Sequence, residues 1–225
     1  MLLAPSGCQV CGPYTSAPLR KCSRCKAVQY CSQEHQRADF KAHKAVCKRI
    51  ETHRQRMAEG VEQFWGADTF ETQVGHFWEL VDTRAYMQAK MGLLRELSTI
   101  NSRLAIESAL AEAMDCHRLC RRDNLGIRDV TPMLMLMLGQ FQEAYDFIKW
   151  YTTSAASPTY DWNNMDLPYL DIHGADIMEQ LPDRDGRFYV PRQLPHVHQD
   201  GATQGRSGRL QRARSGGSCV AAVRG

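Results

Sequence analysis

Long apolar runs are missing from this sequence. The longest, Met133 to Leu138, is far shorter than the roughly 20 residues a bilayer-spanning helix needs, so no membrane partner is expected. The first residues, Met-Leu-Leu-Ala-Pro-Ser-Gly, lack the basic start and apolar core of an export signal. Charge of one sign is scarce too: 28 Lys and Arg stand against 25 Asp and Glu, and a net +3 is too small to argue for nucleic acid or an acidic membrane. What is present is 43% hydrophobic residues in a chain of 225, enough for one small module and one modest globular domain.

Nine cysteines are unevenly placed. Six of them, with two histidines, fall in four pairs: Cys8/Cys11, Cys22/Cys25, Cys31/His35 and His43/Cys47. The first two pairs are C-x2-C, the spacing at which a tight turn lets two thiolates reach one tetrahedral ion. The last two are i, i+4 pairs, which a helix places on one face about a turn apart. Eight ligands make two closed tetrahedral sets with no position left for water, which predicts two structural Zn2+ per chain and no catalytic one. An odd cysteine count, zinc spacing and the missing export signal place the chain in a reducing compartment, cytoplasm or nucleus. A segment of about 40 residues buries too little apolar surface to fold alone, and structural zinc contributes on the order of 10–16 kcal/mol to such a fold. Between the knuckles, a short run before Cys22 pairs with Ala27 to Tyr30 as a hairpin, and Ser32 starts a helix that continues toward Ile50.

The order of the pairs, with Tyr30-Cys31-Ser32, Gln36, Phe40 and His43-Lys44-x2-Cys47, resembles the MYND zinc finger across residues 8–47. The spacing alone does not say which pairs share an ion. The resemblance implies interleaving: Cys8, Cys11, Cys31 and His35 on one ion, Cys22, Cys25, His43 and Cys47 on the other. It also implies a shallow groove for short proline-containing peptides at Gln36 and Phe40. Two positions depart from the family pattern: His35 stands where Cys is usual, and Phe40 where Trp is usual. Imidazole is a good zinc ligand, whereas Phe keeps an apolar face but loses the indole donor. A RING-type ligase also interleaves two zincs, with its His in the middle of the ligand series rather than next to last.

The rest of the chain reads as helical. Residues 48–66 form a charged helical extension and joint; Lys48 to Gly60 reads as a solvated arm, and Gly60 and Gly66 mark the joint. Residues 67–153 form a helical domain. Phe77 to Leu97 carry apolar residues at three- and four-residue intervals, predicting a helix over about 76–97. A second follows Asn101 and stops near Arg122. A third covers Met133 to Leu138, either with Thr131 and Pro132 as cap and first turn or with Asn124 as cap and Pro132 as a kink. A fourth, beyond Gly139, carries Phe141 to Trp150. Gly139-x-Phe141-x2-Ala144 with Ile148 resembles half of a tetratricopeptide hairpin. Leu119 to Arg128 and Tyr145-Asp146-Phe147-x2-Trp150 together look like a group of fungal MYND-finger proteins with a helical region. Cys116, His117 and Cys120 read as core or partly exposed residues, because His117 points about 100° from Cys116 on a helix; Met133, Met135 and Met137 read as core. Residues 154–184 read as a loop over the helices, and 185–225 as a disordered tail poor in large apolar residues. The resemblance would imply further helices after Tyr169, so a truncated or misread end is a working hypothesis.

The expected fold is mainly α: a two-zinc finger of short β-hairpin plus helix, an α-helical hairpin region and the tail. The expected function is a zinc-binding protein–protein interaction adaptor with a protein or peptide partner, no small-molecule substrate and no enzymatic activity. A protein-lysine methyltransferase fragment is the enzyme rival. Against it stand the missing catalytic-domain motifs and the missing further zinc cysteines after residue 47. A weak nucleic-acid regulator, using the arm's Lys48, Arg49, Arg54 and Arg56 or the tail's Arg206, Arg209, Arg212 and Arg214, ranks below both.

Overall fold

The computed structural model describes residues 2–15, 17–64 and 68–179, without the side chains of 63 and 64. The expected tail, and the end of the expected loop, lie outside the described residues. The mainly α fold is found. A two-stranded antiparallel hairpin, β1 (Arg20–Lys21) and β2 (Gln29–Tyr30), pairs Arg20 with Tyr30 and Lys21 with Gln29. Six α-helices follow among the described residues: α1 (Gln33–Phe64), α2 (Thr69–Thr72), α3 (Arg84–Ser98), α4 (Arg103–Leu119), α5 (Thr131–Leu138) and α6 (Phe141–Thr152).

Helix α1 begins where Ser32 Oγ accepts the His35 N–H at 3.2 Å, satisfying one of the first-turn donors. Its 32 residues give a rod of about 48 Å. The solvated arm expected after Lys48 is not what the structure contains. One face of it is buried against α3: Ile50 is 0% exposed, Val46 and Met57 pack on the core, and Arg49 Nε meets Glu96 Oε1 at 2.7 Å. Val46, Ile50, His53 and Met57 lie at helical intervals, a stripe that the surrounding Lys and Arg residues conceal in any average over the segment. Nor is Gly60 a joint, since α1 runs through it to Phe64. The two helices approach closely at Gly92, where an added Cβ would lie 2.2 Å from His53 Cε1.

Helix α3 starts at Arg84, not near 76. Phe77 is buried, its N–H bonds to Leu119 O at 3.0 Å, and a bridge joins His76 to Cys120. These partners lie more than 40 residues away, so a tertiary contact overrides the helical period of 76–83. Thr83, also buried, donates its hydroxyl to the Phe77 and Leu80 carbonyls and closes the turn. After α4, the Asp123 carboxylate accepts the N–H groups of Ile127 at 2.8 Å and Arg128 at 3.0 Å, fixing the 3-10 turn Ile127–Asp129, and α5 starts after Val130 with no side-chain cap from Asn124 or Thr131. Pro132 sits in the first turn of α5, so it makes no kink. Gly139, at φ +82, ends α5 in the left-handed conformation that glycine adopts without strain. Of the three methionines read as core, Met135 is buried and Met137 packs against the core, while Met133 is 58% exposed.

The helices pack in chain order, α1 on α3, α3 on α4, α4 on α5 and α5 on α6. Residues 153–179 form a strap without helix or strand along α6. Trp150 is its anchor, edge-on to Tyr160, Trp162 and Tyr169, with the indole N–H on Asp171 Oδ1 at 3.0 Å. Buried Asp146 holds the strap's backbone, accepting the N–H groups of Gly174 at 2.8 Å and Ala175 at 2.9 Å. The core is one cluster: Cys25, Ala27, Val28 and Ile50 belong to it together with Leu97, Ile106 and Leu119.

Candidate metal centre

Local backbone chemistry places each ligand pair. At the first knuckle, Gly12 N–H returns to Cys8 O at 2.8 Å; at the second, Lys26 N–H returns to Cys22 O at 3.0 Å. Gln9 N–H bonds to Gln29 O and Cys22 N–H to Val28 O, tying both knuckles to the β2 edge of the hairpin. Cys31 follows β2 directly, His35 rides the first turn of α1, and His43 and Cys47 lie one turn apart farther along it.

Two groups of four result: Cys8, Cys11, Cys31 and His35, and Cys22, Cys25, His43 and Cys47, the ligand atoms of each lying within 4.8 Å of one another. In the first, His35 Nδ1 is 3.6, 3.1 and 3.1 Å from the sulfurs of Cys8, Cys11 and Cys31, and Cys11 and Cys31 are 3.5 Å apart. In the second, Cys22 and Cys47 sulfurs are 3.8 Å apart and His43 Nε2 is 3.3 Å from Cys25. Zinc bonds of about 2.3 Å to sulfur and about 2.0 Å to nitrogen give tetrahedron edges of roughly 3.8 Å for S···S and 3.5 Å for S···N. The donor sets therefore fit two Zn2+ ions in both type and size, in the interleaved pairing.

The electrostatics agree. Burial pushes the Cys8 thiol up, but the N–H groups of Cys11, Cys31 and Val10 outweigh it and draw it down to about 6. Its hydrogen bond to Cys31, then burial and the neighbouring Cys8, push Cys11 up to about 12. Burial and the charges of Cys25 and Cys22 likewise push Cys47 to about 12. A cluster in which one thiolate holds its neighbours protonated is what a dication resolves, by neutralising several thiolates at once. Burial also lowers His43, keeping its ring neutral as a ligand must be. All four members of the second group are buried, whereas Cys11 is exposed and Cys31 and His35 are partly so.

The family model described as MYND finger matches residues 8–47. Residues 8–47 are a MYND zinc finger. The finger is 62% identical over 37 residues to SET domain-containing protein 14 of Caenorhabditis elegans, covering 16% of this chain and 9% of that protein. It is 49% identical over 41 residues to Egl nine homolog 1 of Homo sapiens, covering 18% and 9%. It is 46% identical over 46 residues to hypoxia-inducible factor prolyl hydroxylase of Caenorhabditis elegans, covering 20% and 6%. The chain thus spans less than a tenth of the length of each of these relatives, and each likeness is confined to the finger region. No solved structure gives a significant match to the chain.

Gln36 and Phe40 of the finger line one shallow groove with Gln33 and Arg37, of about 360 Å³. A second hollow of about 450 Å³, lined by Pro18, Arg20, Tyr30, Cys31 and Ser32, shares Gln33 and Gln36 with the first. Phe40 is 56% exposed, with the Lys44 ammonium 5.7 Å from its ring centre. The sequence assigned none of Gln33, Arg37, Arg20 and Tyr30 to the groove. Gln33, Gln36, Arg37 and Phe40 do carry a signal, one helical face at i, i+3, i+4 and i+7, but Arg20 arrives through strand pairing with Tyr30. Cys116, His117 and Cys120 join neither metal group. His117 is 1% exposed, between Thr131 Oγ1 at 2.9 Å and the Tyr151 hydroxyl at 3.3 Å. Among the described residues no helix is long and apolar enough to cross a membrane.

Proposed function

We propose that this chain is a non-enzymatic adaptor whose finger recognises a short peptide of a protein partner at Gln36 and Phe40. The carrying observation is Phe40, a large aromatic left mostly exposed on a zinc-ordered helix beside two carboxamides. A peptide crossing the groove would bury that ring and pair its own N–H and C=O groups with Gln33 and Gln36. The helical region then acts as the scaffold. Its tetratricopeptide-like character is supported by the α5–α6 hairpin turned at Gly139 and by buried Ala144. Its place among fungal MYND-finger proteins rests on the run Tyr145-Asp146-Phe147-x2-Trp150, of which Asp146 and Trp150 hold the strap. Residence in cytoplasm or nucleus follows from the thiolate ligands, which need a reducing compartment.

Isothermal titration of the zinc-loaded chain with a proline-containing apolar peptide tests this reading. Phe40→Ala is expected to weaken binding on the order of tenfold or more while two zincs are retained. Unchanged affinity would refute the groove. The methyltransferase-fragment alternative draws on the finger's likeness to a SET domain-containing protein. Methyl transfer from S-adenosylmethionine to a histone mixture would establish it; none is expected.

A further inference from the structure

We propose that the finger's groove is selective for acidic peptides: its occupant is an extended segment whose apolar core lies on Phe40 and whose flanking Asp or Glu residues meet Arg20, Arg37, Lys41 and Lys44. The inference rests on the peptide-groove reading above and adds the chemistry of the partner. Three arginines of α1 and the second knuckle, none of them lining the groove, are engaged. Arg24 Nε meets Glu51 Oε2 at 3.1 Å, Arg49 Nε meets Glu96 Oε1 at 2.7 Å, and Arg54 Nη1 donates to Cys25 O at 2.5 Å.

Those around the groove are not: among the described residues, no ion pair engages Arg20, Arg37, Lys41 or Lys44. The finger has two carboxylates of its own. Asp39 is taken by the Tyr30 hydroxyl at 2.6 Å, and Glu34 lies on the first turn of α1, where it feels Arg37. One exposed carboxylate thus faces several cations around an apolar floor, so an acidic flank gains attraction and a basic flank meets repulsion. Carboxamides that both donate and accept suit a peptide backbone; a nucleic-acid backbone offers phosphate acceptors and would leave the Gln33 and Gln36 carbonyls without donors.

The test measures fluorescence anisotropy of the full zinc-loaded chain with three labelled peptides. These share a proline-containing apolar core and carry Asp/Glu, Ser or Lys flanks. The acidic peptide is expected to bind on the order of fivefold tighter than the Ser peptide at low salt, and the Lys peptide weakest, with the spread closing as salt rises. The double reversal Arg20→Glu, Arg37→Glu is expected to invert the ranking, with a stoichiometry of two zincs confirming the fold. Equal affinity for all three peptides, still lost in Phe40→Ala, would overturn the acidic selectivity and leave the groove standing. No binding of any peptide would refute the groove itself. Displacement of the acidic peptide by single-stranded oligonucleotide at low concentration would assign the cationic rim to nucleic acid instead.

Discussion

His117 shows how much a single side chain can be constrained. The Thr131 hydroxyl gives its proton to Ile127 O, so it can only accept from His117 Nε2–H. The remaining nitrogen, Nδ1, then accepts from the Tyr151 hydroxyl, which in turn accepts from Tyr169. The ring is fixed as one neutral tautomer, with no room for a second proton. Burial, with Arg128 nearby, lowers its pKa from 6.5 to about 4. Because the unfolded chain takes up a proton that the folded one refuses, this residue's contribution is present above pH 6.5 and lost as pH falls toward 4. The loss is roughly 3 kcal/mol. Urea denaturation at a series of pH values should show a shallower acid loss in His117→Gln than in the parent; equal slopes would mean that the zinc ligands alone set the acid sensitivity.

At the scale of elements, the two zinc sites differ although their donor sets are chemically the same. The first hangs from the knuckle at Cys8–Gly12 and the start of α1, with Cys11 in solvent. The second lies inside the common core beside Ala27, Val28 and Ile50, and Arg54 and Ser102 reach its loop through Cys25 O and Ala27 O. A chelator is therefore expected to remove zinc in two phases, with helical circular dichroism largely preserved after the first. Cys11→Ser should hold one zinc and keep the helical region, whereas Cys25→Ser should destabilise both parts. A single-phase release, or equal melting of the two variants, would contradict this ordering.

For the molecule as a whole, α1 is the shared member: it carries three of the eight ligands, His35, His43 and Cys47, and the face that packs on α3. The finger is thus not an independent bead joined by a tether. With Co2+ in place of zinc, visible absorption reports the finger and tryptophan fluorescence reports the helices. Their urea transitions at the buried site should coincide, the behaviour of one cooperative unit. Two separated midpoints would show that the finger melts alone.

The sequence was enough for the parts whose chemistry is local or combinatorial. Four correctly spaced ligand pairs declare two closed zinc sites, and the periods of α4, α5 and α6 declare helices, because ligand spacing and backbone periodicity are properties of neighbours along the chain. Residue spacing left the pairing of the ligands open; a family resemblance supplied the interleaving, and the folded geometry brings the same two sets together. The packing of 48–60 on α3, the conversion of 76–83 from helix to a turn held by Leu119, and the Arg20 edge of the groove came only with the tertiary structure. Each depends on partners tens of residues away, and there a buried contact or a backbone hydrogen bond outweighs the fraction of a kcal/mol per residue by which local propensity distinguishes one conformation from another.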